Sequence, residues 1–424
     1  MEPVPRAGRV FFPLDKDLAL LPGNLAPRQH EHLVHLASWM PFAKAGTILT
    51  RLLGVQVGEE TVRRLTEQIG RHVEEAQTQA ATAPWQEATS EMVSEERLAM
   101  SADGAYVPLV KGEWAEVRTL AIGKLKGVGV SGKKSETRTC DVSYFSRMCS
   151  AEGFLDLAEV ETRRRKLLQA QEVCAVMDGA GWLQGFVDIH RPDAVRILDF
   201  PHAAEHLSLL LTALEQAGIR LPVALLPRLL HHLKHRGPRA LLRLANRLPA
   251  HLLEVEEVRA HMGYLQKRVA HMAYPQFRTQ GWPIGSGAVE SANKLVVEAR
   301  LKGAGMHWER TNVNPMLALR NGVCNERWEE TWHIGQHHLW EQQQQRRTWR
   351  AKLRKEKALT LSNPLLLTSP PLPPQPPVQP LSPPCLASSP SAPAATLPGS
   401  SRPSASHPWK RGRACSPKKT LAKI

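Results

Sequence analysis

The chain has 424 residues, and 55 Lys and Arg against 40 Asp and Glu give it a formal charge of +15. With 42% apolar residues it can build real cores, which excludes wholly disordered and fibrous classes. An excess of cations on this scale asks for a polyanionic partner. No run of about eighteen apolar residues occurs, and the opening MEPVPRAGRVFF carries proline and charge where a secretory signal would be apolar. A cytoplasmic protein with no membrane partner is expected. Cys140, Cys149, Cys174, Cys324, Cys385 and Cys415 form no CxxC pair, which argues against a disulfide framework or a zinc ribbon.

In chain order, residues 1–95 read as an N-terminal helical domain. Leu33, Leu36, Trp39 and Met40, then Ile48, Leu49, Leu52 and Leu53, recur at helical spacing, broken by Pro41 and by the turn from Gly54 to Gly58. A second helix from about Glu59 to Glu75 completes a helix-turn-helix outline in which Arg63, Arg64 and Arg71 could face DNA. A plain helical hairpin with a solvated charged face fits the same pattern.

Residues 96–202 change texture. LAMSADGAYVPL, WAEVRTLAIGKLKGV and CDVSYFSRM predict three successive strands; a charged helix follows, then the apolar runs VCAVMD and VRILD, each ending in an acid. Three meander strands followed by helix-linked strands predict an α/β fold with an RNase H-like mixed sheet. Residues 203–280 read as an all-helical insertion into that core. Between Gln216 and Leu253 there is no acid, and Arg220, Arg228, Lys234, Arg236, Arg239, Arg243 and Arg247 suggest a phosphate-facing surface. Residues 281–345 hold a glycine turn, a long amphipathic helix and a Trp-rich helical end whose tryptophans are expected to pack rather than stack on bases. Residues 346–424 read as a basic, Pro/Ser-rich, disordered tail: 16 of the 33 prolines lie beyond residue 362, where seven cations meet no acid.

Asp103 and Asp178 each sit between an apolar run and a glycine. One Asp-Gly is a common turn, but an acid ending a buried strand is costly unless it faces a cation, and two such acids suggest carboxylates converging on one edge of a sheet. Hard oxygen donors suit Mg²⁺ or Mn²⁺, and a pair of such ions is the machinery of phosphodiester chemistry. For a third acid, Glu290 is favoured, because it lies near the positive end of its helix dipole. Glu298, about 80° further round an ideal helix, has an ion pair with Lys294 or Lys302 as its ordinary explanation.

The set Asp103-Gly, Asp178-Gly, Asp199-Phe-Pro-His202 and Gly285-Ser-Gly-Ala-Val-Glu290, followed by Arg300-Leu-Lys-Gly-Ala-Gly-Met-His-Trp308, resembles the DDE transposases of bacterial insertion sequences, specifically the ISKra group. These are similar to Mutator-like transposases, which carry a [CD]-x-x-H element between the second acid and the final Glu. The resemblance covers about residues 10–340. It implies a transposable-element enzyme that binds double-stranded DNA as a homo-oligomer, cuts at the element's ends and joins the 3′-hydroxyl to target DNA. It also implies two Mg²⁺ or Mn²⁺ ions on the triad Asp103, Asp178 and Glu290, with Asp199 and His202 as an accessory pair. Relatives usually begin with a cysteine-rich segment, and this chain has no cysteine before Cys140. A DNA-binding remnant with impaired catalysis is therefore a second expectation. A third, from the pattern His202-x-x-Glu205-His206, is a zinc metallopeptidase.

Overall fold

The computed structural model describes residues 25–83, 94–127 and 137–362, with side chains as far as residue 357. The expected unstructured segment beyond residue 362 lies outside the described residues.

Three helices open the fold: α1 (Pro27–Trp39), α2 (Phe42–Leu53) and α3 (Glu59–Thr82). Proline in the first turn of α1 costs no hydrogen bond, and Gln29 reaches back to the amide of Ala26 at 3.0 Å. Gly54 ends α2 in the left-handed conformation, with φ at 69°. The helix-turn-helix outline is present, but α3 is longer than the sequence suggested and lies against α1, α2 and three later helices.

Strands β1 (Ser94–Pro108), β2 (Trp114–Gly127) and β3 (Thr137–Arg147) form an antiparallel meander. Helix α4 (Ala151–Arg164) leads to β4 (Ala170–Met177), and α5 (Gly181–His190) leads to β5 (Val195–Leu198). Both β4 and β5 run parallel to β1, giving one mixed sheet in the order β3-β2-β1-β4-β5. The remaining elements are helical: α6 (Phe200–Gln216), α7 (Leu225–Arg236), α8 (Arg239–Arg247), α9 (Ala250–Leu253), α10 (Glu256–Lys267), α11 (Tyr274–Thr279), α12 (Gly287–Ala292), a π-helical stretch (Asn293–Glu298), α13 (Ala299–Leu301), α14 (Arg310–Cys324) and α15 (Trp328–Ser362). Among the described residues no helix is long and apolar enough to cross a membrane.

Alternation along the strands sends successive side chains to opposite faces. Leu98, Met100, Ala102, Val173, Ala175 and Met177 pack with α4 and α5 on one face. Ala99, Cys174 and Val176 turn to the other face, where they share a core with apolar residues of α6 to α11. The helical insertion is thus the second layer of the sheet rather than an appended unit, and it begins with α6 at Phe200, three residues before the expected boundary. Ala105, Val107 and Val117, further along that same face, pack with Val296, Val297, Leu301 and Trp308. The expected tail boundary at residue 346 falls inside α15. The segment has no proline before Pro364 and is rich in Gln, Lys, Arg and Leu, all good helix formers, so nothing local stops the helix. Trp308 and Trp332 are buried, in keeping with a packing role.

The free edge of β3 is closed by side-chain amides. Asn325, which caps the end of α14, and Asn321 and Asn314 within it each donate to and accept from one backbone residue, respectively Tyr144 (2.8 and 2.8 Å), Ser146 (3.2 and 3.0 Å) and Met148 (3.1 and 2.8 Å). The alternate residues that would otherwise offer unpaired groups to another strand are satisfied by a helix. Two buried guanidiniums do comparable work on α1. Arg300 donates to the carbonyl of Ala37 at 2.9 Å and Arg320 to that of Ser38 at 3.1 Å, so the last turn of α1 is tied to the segment that follows Glu290.

Asn321→Ala should destabilise the fold by about 1–3 kcal/mol for each of the two backbone groups it leaves unpaired, since Ser146 has no exposed surface. Urea unfolding measures this, and a loss well under about 1 kcal/mol would mean that the edge is not held by the amide.

Candidate active site

The sheet register brings the predicted acids together. Met100 of β1 pairs with Ala175 of β4, so three steps on, Asp103 stands level with Asp178. Met177 pairs with Leu198 of β5, so one step on, Asp178 stands level with Asp199. Three carboxylates therefore form a row across neighbouring strands where β4 and β5 end, although Asp103 itself does not end its strand as expected: β1 runs on to Pro108 because β2 continues to pair with it, Asp103 opposite Thr119. Such strand ends are where open α/β sheets place their ligands. The odd-numbered positions of β1 share the face of Ala99, so Asp103 lies between the apolar cluster of the insertion and the cluster built on α12 to α14. Helix α12 packs over β1 and β2 on that face, with Val289 and Ala292 against Ala121.

Asp103 is partly buried. Its Oδ1 accepts from the amide of Gly104 at 2.7 Å and its Oδ2 from Nδ2 of Asn293 at 3.0 Å. Burial is the main cause that pushes its pKa up, to about 6; the amide of Gly104 opposes this, the charges of Asp178 and Glu290 add to it, and His202 opposes it. The four ionisable groups thus share one electrostatic neighbourhood. Asp178 accepts from the amide of Ala180 at 2.7 Å through Oδ1, and its carbonyl accepts from the hydroxyl of Tyr264. Glu290 is exposed on the first turn of α12, with no hydrogen bond or ion pair to its carboxylate among the described residues. Glu298 instead pairs with Lys302 at 2.9 Å, one of the two partners its spacing suggested.

Asp199 differs from the other acids. It has no exposed surface and both its oxygens are engaged: Oδ1 accepts from the amide of Ser286 at 2.7 Å, and Oδ2 from the amide and Nδ1 of His202 at 3.2 and 2.7 Å. It caps α6 and anchors the Gly285-Ser-Gly287 turn that launches Glu290. The backbone joins in, since the amide of Phe200 donates to the carbonyl of Ile284 at 2.9 Å. Asp199 is therefore a positioning group, and the imidazole it holds is what it offers to the site. Burial lowers the pKa of His202, but the hydrogen bond its ring donates to Asp199 and the charges of Asp199, Asp178 and Asp103 outweigh that and carry it to about 9.

Asn293 was not singled out in the sequence. Its only signal there is its place three residues after Glu290, on the same helical face. It opens the π-helical stretch, a rare local geometry that recurs at functional sites, and its Oδ1 is buried without a partner. Among the described residues no three His, Cys, Asp or Glu side chains lie close enough together, as they stand, to hold a metal ion. Both oxygens of Asp103 already accept hydrogen bonds from protein donors. In the His202-x-x-Glu205-His206 pattern, Nδ1 of His202 faces Asp199 while Nδ1 of His206 lies 3.0 Å from Nδ1 of His261, and the His206 ring stacks on Tyr264.

Of the DNA-facing candidates, Arg63 is paired with Glu60 at 2.6 Å and with Glu67 at 3.2 Å, and Arg71 with Glu67 at 3.4 Å. The α3 face carrying them is an ion-pair ladder on a packing helix, because α3 uses its other sides against α14 and α15. Arg64 is exposed and outside that ladder. In the insertion Arg228, Arg236, Arg239 and Arg243 are exposed, and an open groove of about 640 Å³ between α7 and α8 is lined by His232, Arg236, Arg239 and Arg243. Lys234 is half-buried and turns its ammonium toward the Phe200 ring, 5.6 Å from the centroid.

No protein-family model and no curated protein sequence matches the chain.

The His202 shift gives a pH test. Because the folded pKa lies above the ordinary value, the His202–Asp199 interaction contributes stability that is fully present below about pH 6.5 and is lost as pH rises through about 9. NMR titration of the His202 ring should show a midpoint near 9 that falls in Asp199→Asn; an ordinary midpoint in the unsubstituted chain would contradict the ion pair.

Proposed function

We propose that the chain is a DNA transposase of an insertion sequence, with an RNase H-like catalytic core. The observation that carries this reading is the row of Asp103 and Asp178 at matched register, with the Glu290 helix packed over β1 and β2 on the same face. The sheet order β3-β2-β1-β4-β5, antiparallel in its first three strands and parallel in its last two, supports the RNase H-like assignment. Double-stranded DNA, as element ends and target, is the proposed partner. Joining two cut ends calls for at least two copies of the chain on the DNA.

The donor set fits Mg²⁺ or Mn²⁺. All three side chains are hard carboxylate donors, Asp103 is held toward its neutral form by burial and by its acidic neighbours, and the orphaned Oδ1 of Asn293 is a further oxygen beside it. Asp103, Asp178 and Glu290 would hold the ions. Two such ions supply activation of the attacking water or 3′-hydroxyl and stabilisation of the leaving oxygen. The chain's own residues do the rest. Asp199 fixes the imidazole of His202 through Nδ1, which leaves Nε2 to carry a proton beside the two aspartates and to give it to the leaving oxygen. Arg236, Arg239 and Arg243 line a groove that suits a phosphate backbone, and neutralising phosphates there releases counterions.

In Mg²⁺, the purified chain should join duplexes copied from the DNA flanking its gene to a plasmid target, and Asp178→Ala should lower this by about three orders of magnitude or more, as when one member of a cooperating catalytic set is removed. Binding to those duplexes without any joining would favour the impaired remnant. Each of Arg236→Ala, Arg239→Ala and Arg243→Ala should weaken DNA binding at all sequences and lower the salt dependence, −d log K/d log[salt], by about 1; unchanged slopes would remove the groove from the interface.

A further inference from the structure

The turn that carries Asp178 leaves the sheet with two backbone carbonyls no strand can pair, and both are taken by one helix of the insertion. The hydroxyl of Tyr264 donates to the carbonyl of Asp178 itself. The guanidinium of Arg268 donates to the carbonyl of Gly179 through Nε at 3.1 Å and Nη2 at 2.5 Å, and anchors itself through Nη1 to the carbonyl of Tyr264 at 2.9 Å. Tyr264 lies in α10, and Arg268 is the residue that ends it.

The pair is itself held rigid. The His206 ring lies parallel to the Tyr264 ring, 3.5 Å between centroids, and the Arg268 guanidinium lies 3.9 Å from the same centroid. Two groups that near to one ring cannot share a face, so Tyr264 is sandwiched between them. His206 is in turn set by His261, on the same helix as Tyr264. Burial pushes the Tyr264 phenol up to about 12, which keeps it a donor at any ordinary pH. Gly179 completes the fit, with φ at 85° and a would-be Cβ 2.3 Å from Nε of Arg268. A side chain there would break both the turn and the close approach.

We infer that Tyr264 and Arg268 are positioning residues for the metal-binding carboxylate of Asp178, which they act on through the backbone of residues 178 and 179. This rests on the reading of Asp178 as a metal-binding acid given above. On that reading the insertion has a second task besides its basic surface: it supplies the outer partners that aim an inner carboxylate. Loss of such partners typically costs a metal site about 10- to 100-fold in affinity.

Mn²⁺ binding to the full chain, followed by the electron paramagnetic resonance signal of free Mn²⁺, tests this without relying on DNA chemistry. Tyr264→Phe removes one hydroxyl, and Arg268→Lys keeps the charge but not the planar fork. Each should raise the dissociation constant for Mn²⁺ about tenfold or more while the thermal midpoint moves little, and Asp178→Ala should abolish the binding. If both variants bind Mn²⁺ as the unsubstituted chain does while Asp178→Ala does not, the clamp is overturned and the metal site stands. If Asp178→Ala leaves Mn²⁺ binding unchanged, or the unsubstituted chain binds none, the site fails and the clamp with it.

Discussion

A carboxylate with no contact with water has to find donors inside the protein, and the way Asp199 does so governs the geometry of everything around it. Its three accepted hydrogen bonds come from two parts of the chain nearly ninety residues apart: the first turn of α6 and the Gly285-Ser-Gly287 turn. One acid therefore caps the helix that begins the insertion, holds the imidazole of His202 and fixes the point from which the Glu290 helix departs. The insertion leaves and rejoins the sheet at the same residue. That is how about eighty residues of helix can interrupt the core without separating β5 from α12.

The same face of the sheet is covered by two different apolar clusters, and the acids lie between them. At one end are the helices of the insertion, over Ala99, Cys174 and Val176; at the other are α12 to α14, over Ala105, Val107 and Val117. Neither cluster covers Asp103, yet both limit its access to water, which is why burial dominates its shift. A cation entering between the clusters would meet oxygen donors already short of solvent. The cost of keeping those donors near one another is borne by the surrounding hydrogen bonds: Asn293 and Gly104 on Asp103, Ala180 and Tyr264 on Asp178 and its turn.

The basic character of the chain has a different standing in its two helical regions. In α3 two of the three arginines, Arg63 and Arg71, are balanced by Glu60 and Glu67 within one or two turns of the same helix, so the local field is small. In α7 and α8 no acid lies within reach along the sequence, and the arginines converge on a groove. Charge that is uncompensated and concave focuses a field, whereas charge that is paired on a packing helix does not.

The succession of strands, the acid that follows β4 and the Glu298–Lys302 pair were legible in the sequence, because each rests on a local pattern: apolar runs, an apolar run ending in Asp-Gly, a Glu-Lys pair at four-residue spacing. The same Asp-Gly signal misplaced Asp103, which continues β1 because its partner strand β2 pairs on past it. The extent of α15 was not legible, since the expected tail boundary at residue 346 falls inside a helix that runs through the described residues to Ser362, in a stretch with no proline before Pro364. Nor were Asn293, Tyr264 and Arg268, whose roles depend on partners 190, 86 and 89 residues away. What the sequence by itself determined is where apolar runs form strands, where helices start and where cations lack acidic neighbours, for these follow from neighbours along the chain. Only the tertiary structure decided where β1 ends, and which carboxylate is exposed and which is sealed among protein donors, because burial and hydrogen-bond satisfaction are set by what the rest of the chain packs against them.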